Sequence, residues 1–146
     1  MNRNNGPLAY GMAMTNVSAI KDRHLRILVV DDEPRFRTAL SSNLSEVYEA
    51  VVTDVDSGFD AIQRLKAGEA FDVIFLDLKM PEMSGTETYQ ELKKIDSHCS
   101  IVLMSSSQDS DEWLAASKLD GELLSKPSME QKLSRVLSRV ANSVTD

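Results

Sequence analysis

A single cysteine, Cys99, stands among 146 residues. No internal disulfide can form, so a core must hold the chain together. Histidine is nearly as scarce: His24 and His98 have no ligand-spaced neighbours, which removes metal sites of the Cys/His kind. Positive charge is in deficit, with 16 Lys and Arg against 23 Asp and Glu and a net charge of −7. Such a surface repels phosphate backbones, so direct nucleic-acid binding is not expected. No apolar run approaches the roughly 20 residues of a bilayer span. Residues 1–16 are broken by Asn, Gly, Pro and Thr, and lack the apolar stretch of a secretory signal. There is no Gly-rich loop of the P-loop or dinucleotide kind. These absences point to a cytoplasmic protein without membrane contact.

What is present suits one globular domain: 42% hydrophobic and 27% charged residues, in a length able to bury roughly 70% of the unfolded surface. Residues 1–24, rich in Asn, Gly and Met and without a clear period, read as a flexible N-terminal extension, with a short helix over 12–20 as the alternative. From residue 25 to 141 apolar strands alternate with amphipathic helices, and 142–146 form a C-terminal tail. Ile27 to Val30 is a continuous apolar run. Pro34 then opens a helix carrying Phe36, Leu40, Leu44 and Val47 at helical spacing. Val51-Val52 marks a weaker strand. Ser57 is a candidate cap for a helix lined by Phe59, Ile62 and Leu65, with Gly68 at its end. Val73 to Leu76 and Ile101 to Met104 are further strands. Tyr89, Leu92 and Ile95 lie on the helix between them, and Trp113 lies on the helix that follows, capped by Asp109 or Ser110. A short strand at Leu123-Leu124 precedes a final stripe of Met129, Leu133, Val136, Leu137, Val140 and Val144. Five strand–helix units in alternation predict an α/β three-layer sandwich with a parallel sheet. The first, third and fourth runs are continuous, as in strands buried on both faces. The second and fifth are mixed, as at edges. That is the flavodoxin-like order 2-1-3-4-5.

Each apolar run ends in a polar residue: Asp31-Asp32, Asp77, Ser105 and Lys126. Parallel strands bring these ends to one rim, where open α/β sheets hold ligands. Three gathered carboxylates repel unless protonated or neutralised by a cation. All-oxygen donors suit a hard ion such as Mg²⁺, which keeps positions for water or phosphate oxygens. A carboxylate nucleophile beside an ammonium, a hydroxyl and such an ion is a set for phosphoryl transfer. Taken singly, Asp31-Asp32 could cap a helix and Asp77 could form a turn.

The segments Val29 to Pro34, Leu76 to Gly85, Leu103 to Ser106, and Lys126-Pro127 together resemble the receiver domain of two-component response regulators, over about residues 25–141. The resemblance implies a phosphoacceptor switch, not an enzyme, that catalyses only its own phosphorylation and dephosphorylation. Asp77 would take a phosphoryl group from a phosphohistidine of a histidine kinase or histidine phosphotransfer protein. Asp32, Asp77 and the main-chain carbonyl of Lys79 would ligate Mg²⁺, with Asp31 holding a metal-bound water. Ser105 would be the switch hydroxyl, and Lys126 the lysine pairing with the phosphoryl group, followed by a cis bond to Pro127. The output surface would be the fourth helix, fifth strand and fifth helix, engaging a downstream protein or a second copy. The chain reads as a stand-alone regulator or an excised receiver domain.

Some positions depart from the family pattern. Leu123 stands where an aromatic is usual, Ser106 where Ala or Gly is usual, and Leu119-Asp120 where Gly-Ala is common. Lys79 and Ser107 are expected to flank the path of an attacking water. A phosphatase of the haloacid-dehalogenase kind would carry an acid where Lys79 stands, which disfavours that alternative. A flavodoxin-like nucleotide binder is the other.

Overall fold

The structure is a computed structural model that describes residues 24–145. The expectations for the segment before His24 lie outside these residues, as does the side chain of Val144. The chain alternates β1 (Arg26–Val30), α1 (Pro34–Tyr48), β2 (Val51–Val55), α2 (Gly58–Lys66), β3 (Val73–Asp77), α3 (Gly85–Ile95), β4 (Ser100–Ser105), α4 (Asp111–Ala116), β5 (Glu122–Ser125), a 3₁₀ turn (Lys126–Ser128) and α5 (Leu133–Thr145). The five strands are parallel in the order β2-β1-β3-β4-β5, with helices on both faces. This is the flavodoxin-like sandwich, with the weaker strands at the edges as their composition predicts.

Alternate residues of the central strands feed two cores. Ile27, Val29, Val73, Phe75, Val102 and Met104 pack with Leu40 and Leu44 of α1 and with Val136, Leu137 and Val140 of α5. Leu28, Val30, Ile74, Leu76, Ile101 and Leu103 pack with Ile62 and Leu65 of α2, Tyr89 and Leu92 of α3, and Ala116 of α4. Both faces being covered, β3 is buried along its whole length.

Several details depart from the helical spacing. Val47 (46% exposed) and Phe59 (61%) lie outside the core; Tyr48 takes the buried place in α1, and Gly58, Ala61, Ile62 and Leu65 form the inner face of α2. Ile95 is also exposed. Helix α4 stops at Ala116, and Trp113 is half-buried on it. Met129 belongs to the end of the 3₁₀ turn rather than to α5, which runs on past residue 141. Ser57 and Ser110 cap their helices as expected, and Gly68 follows α2 with φ 97°.

The bond from Lys126 to Pro127 is trans, as are all those among the described residues. This corrects the cis expectation. Pro127 sits in the first turn of the 3₁₀ segment, where its fixed φ fits a continuing trans chain.

Candidate functional site

Parallel register aligns the strand ends. Val30 faces Leu76, Asp77 faces Met104, and Ser105 faces Ser125, the residue before Lys126. The polar residues after each run therefore meet at one rim, around a cavity of about 320 Å³ lined by Asp32, Asp77, Lys79, Ser105, Ser107 and Lys126, among others. One oxygen from each of Asp31, Asp32 and Asp77 lies within 4.8 Å of the other two.

Asp31 is wholly buried. Its Oδ1 accepts the Glu33 backbone N–H at 2.9 Å, and its Oδ2 lies 2.7 Å from Lys126 Nζ. That second contact is an ion pair rather than a well-directed hydrogen bond. Lys126 also reaches Asp77 Oδ1 at 3.2 Å. A single ammonium thus serves two buried acids. The capping alternative for Asp31-Asp32 is not what forms here: α1 has Glu33 at its N-cap, without a side-chain cap bond, and no acid in its first turn.

Asp77 ends β3 at 5% exposure. Burial, then the adjacent Asp31 charge, push its carboxyl up to about 7; Lys126 pulls the other way and Asp32 adds to the rise. Burial alone would lower the Lys126 ammonium, but its close contact with Asp31 and the charges of Asp77 and Asp31 hold its pKa above the usual value. The two directions agree: the lysine gains two anions, while Asp77 gains only a share of one cation.

Excess negative charge on hard oxygen donors, with Asp32 open to solvent, fits a small divalent cation that keeps some of its waters. Mg²⁺ fits this donor set.

Ser105 is buried at the end of β4. Its Oγ donates to the Ser107 carbonyl at 2.8 Å and accepts the Ser107 N–H at 3.1 Å. The hydroxyl is thus engaged in its own turn. Ser107 and Lys79 border the cavity, whereas Leu123 lies away from it, half-buried against the second core. The fold brings Asp31, Asp32, Asp77, Ser105 and Lys126 together and leaves Leu123 apart.

Two participants escaped sequence reasoning. The Phe36 ring centroid lies 4.4 Å from Lys126 Nζ. Arg37 donates from Nη1 to the Asp31 carbonyl at 2.8 Å and from Nε to Asp54 Oδ1 at 3.2 Å. It thereby ties the end of β1 to β2. Their place one turn after the two acids was the available signal, but helical spacing marked Phe36 only as core.

Cys99, His24 and His98 take no part. Cys99 is buried, and burial, with Asp96 nearby, pushes its thiol up to about 11, which leaves it unreactive. Both histidines are exposed. No helix among the described residues is long and apolar enough to cross a membrane.

Comparison with known proteins agrees with this fold. The family described as "Response regulator receiver domain" matches residues 27–138. The chain is 26% identical over 117 residues to the chemotaxis protein CheY of Thermotoga maritima, covering 80% of this chain and 97% of that one. It is 44% identical over 71 residues to the probable histidine kinase 5 of Oryza sativa subsp. japonica, covering 49% of this chain but only 6% of the kinase. Among solved structures it resembles the response regulator TrrA of Thermotoga maritima, solved with Mg²⁺ and BeF, at TM-score 0.69 and 28% identity over 80% of this chain and 98% of that one. A response regulator receiver protein of Sinorhizobium medicae is similar at TM-score 0.70 and 29% identity, over 81% and 94% of the two chains.

Proposed function

The chain belongs to the response regulator receiver domain family of two-component systems, and from that premise we propose that Asp77 is its phosphoacceptor. The supporting observation is the meeting of Asp77 with Asp31, Asp32 and the Lys126 ammonium at one rim of the sheet.

The donor is a phosphohistidine of a histidine kinase or phosphotransfer protein. An Asp77 carboxylate oxygen attacks phosphorus; the O–P bond forms as the P–N bond to the donor imidazole breaks, and the imidazole leaves with the electron pair and takes up a proton. Asp32, Asp77 and the Lys79 main-chain carbonyl would hold Mg²⁺, with the Asp31 carboxylate beside them. When bound, that ion neutralises charge shared between carboxylate and phosphoryl oxygens. Lys126 offers its ammonium to one phosphoryl oxygen. Ser105 leaves Ser107 and donates its hydroxyl to another.

The proposed reaction ends at the acyl phosphate. The domain is a switch rather than an enzyme acting on an external substrate. A lysine, not an acid, occupies position 79, so no carboxyl stands there to protonate a foreign leaving group. Lys79 and Ser107 border the path of the hydrolytic water and set the lifetime of the bond; dephosphorylation rates of the wild type and Lys79→Ala measure this. Phosphorylation biases a two-state equilibrium of α4, β5 and α5, whose face engages a downstream protein or a second copy in the cytoplasm.

Incubation with acetyl phosphate and Mg²⁺, followed by intact mass, tests the proposal. The wild type gains one phosphoryl group, and Asp77→Asn gains none. An unchanged wild-type mass would reject it.

A further inference from the structure

Lys126 has a neighbour that the chemistry of the site leaves untouched. Its Nζ meets Asp31 and Asp77, and, from the α1 side, the face of Phe36 at 4.4 Å from the ring centroid. That distance lies well inside the roughly 6 Å at which an ammonium is attracted to an aromatic face. The lysine side chain is 10% exposed, so bulk water does little to weaken the attraction. The ring is held in turn, because Phe36 is partly buried against the core shared by α1, α5 and the sheet. A lysine ammonium is a compact charge on a flexible four-carbon stem and needs such a wall to be held in one place.

We propose that Phe36 is the positioning residue of Lys126. Its ring keeps the ammonium over the cavity when the two carboxylates are engaged elsewhere. This rests on the reading of Asp77 as phosphoacceptor. In that reaction Asp77 acquires a phosphoryl group and Asp31 would share its charge with the bound cation, so both anionic partners of the lysine change. The Phe36 contact is the one that does not depend on the charge state of the site. Lys126 must pass from carboxylate to phosphoryl oxygen, and the ring limits it to that short path. Without the ring, the ammonium spreads over several rotamers at the moment when neither acid holds it.

The test measures phosphorylation by acetyl phosphate at saturating Mg²⁺ in five proteins: the wild type, Phe36→Leu, Phe36→Tyr, Lys126→Ala and the double variant Phe36→Leu/Lys126→Ala. Phe36→Leu is expected to lower the maximal rate about 5- to 30-fold, the equivalent of roughly 1–2 kcal/mol. The half-saturating donor concentration stays within about twofold, because positioning acts on the transition state rather than on binding. Phe36→Tyr, which keeps the π face, restores the rate. In the Lys126→Ala background, Phe36→Leu adds no further loss. An equal loss in both backgrounds, or a leucine variant as fast as the tyrosine, would overturn the proposal.

A second reading uses the metal-free protein and needs no phosphorylation. Ring current from Phe36 shifts the Lys126 Cε protons upfield in the wild type and Phe36→Tyr, and this shift disappears in Phe36→Leu. Equal shifts in all three overturn the contact. A wild type that accepts no phosphoryl group defeats the acceptor reading instead, while the proton shifts still decide whether the ring holds the ammonium.

Discussion

Asp77 is the residue on which the rest of the site is balanced. Its carboxyl sits at about 7 because burial and Asp31 outweigh Lys126. A pKa raised in the folded state means that the folded protein keeps a proton the unfolded chain releases between about pH 4 and 7. The contribution of this group to stability is therefore complete below about pH 4 and is lost as pH rises to 7. Asp77→Asn removes the crowding and leaves Lys126 with Asp31 at 2.7 Å. In urea unfolding with chelator present, the variant should be more stable than the wild type by roughly 1–3 kcal/mol above pH 7, and the gain should shrink as pH falls toward 4. A variant less stable than wild type at pH 8 would show that the carboxylate is welcome where it sits. The same crowding would suit a divalent cation, since three carboxyl groups there share one lysine.

At the level of elements, the loop from β3 to α3 is built to a close tolerance. Ser84 caps α3 through a reciprocal pair: its Oγ accepts the Glu87 N–H at 3.2 Å, and the Glu87 carboxylate accepts the Ser84 N–H at 3.0 Å. Gly85 then passes so near the end of β3 that an added Cβ would lie 2.4 Å from the Asp77 carbonyl oxygen and 2.6 Å from the Leu78 Cα. Backbone cannot yield as a flexible side chain can. Gly85→Ala should destabilise the fold by about 1–3 kcal/mol and weaken Mg²⁺ affinity in calorimetric titration, because the displaced chain carries Asp77. Ser84→Ala should cost about 1 kcal/mol and leave Mg²⁺ affinity unchanged. Equal Mg²⁺ affinity in wild type and Gly85→Ala would separate the close approach from the metal site.

Legibility in the sequence followed the element. The runs Ile27 to Val30, Val73 to Leu76 and Ile101 to Met104 announced themselves because strands covered on both faces leave no room for polar residues. Helix faces were less certain. Phe59 has helical spacing with Ile62, yet it stands 61% exposed, beside a groove of about 410 Å³ that it lines with Ile62 and Met83 between α2 and α3. Spacing alone does not tell where the neighbouring helix stops covering a face.

Across the whole molecule, the site follows from topology more than from any one motif. A parallel sheet ordered β2-β1-β3-β4-β5 places the C-terminal ends of β1, β3, β4 and β5 at one rim. That is why Asp31, Asp32, Asp77, Ser105 and Lys126 could be named from sequence. What could not be named depends on side-chain geometry: the Ser105 hydroxyl turned to Ser107, Lys126 closer to Asp31 than to Asp77, and the Phe36 ring beside it. The trans bond before Pro127 belongs with these, since a short 3₁₀ turn gives little sign of itself in sequence.

The most direct test of the account is chemical localisation of the acyl phosphate. The protein is treated with acetyl phosphate and Mg²⁺, reduced with borohydride and sequenced by tandem mass spectrometry. Reduction converts an aspartyl phosphate to homoserine, and homoserine is predicted at position 77 alone. Homoserine at 31 or 32, or at no position in protein that has gained a phosphoryl group, would contradict it.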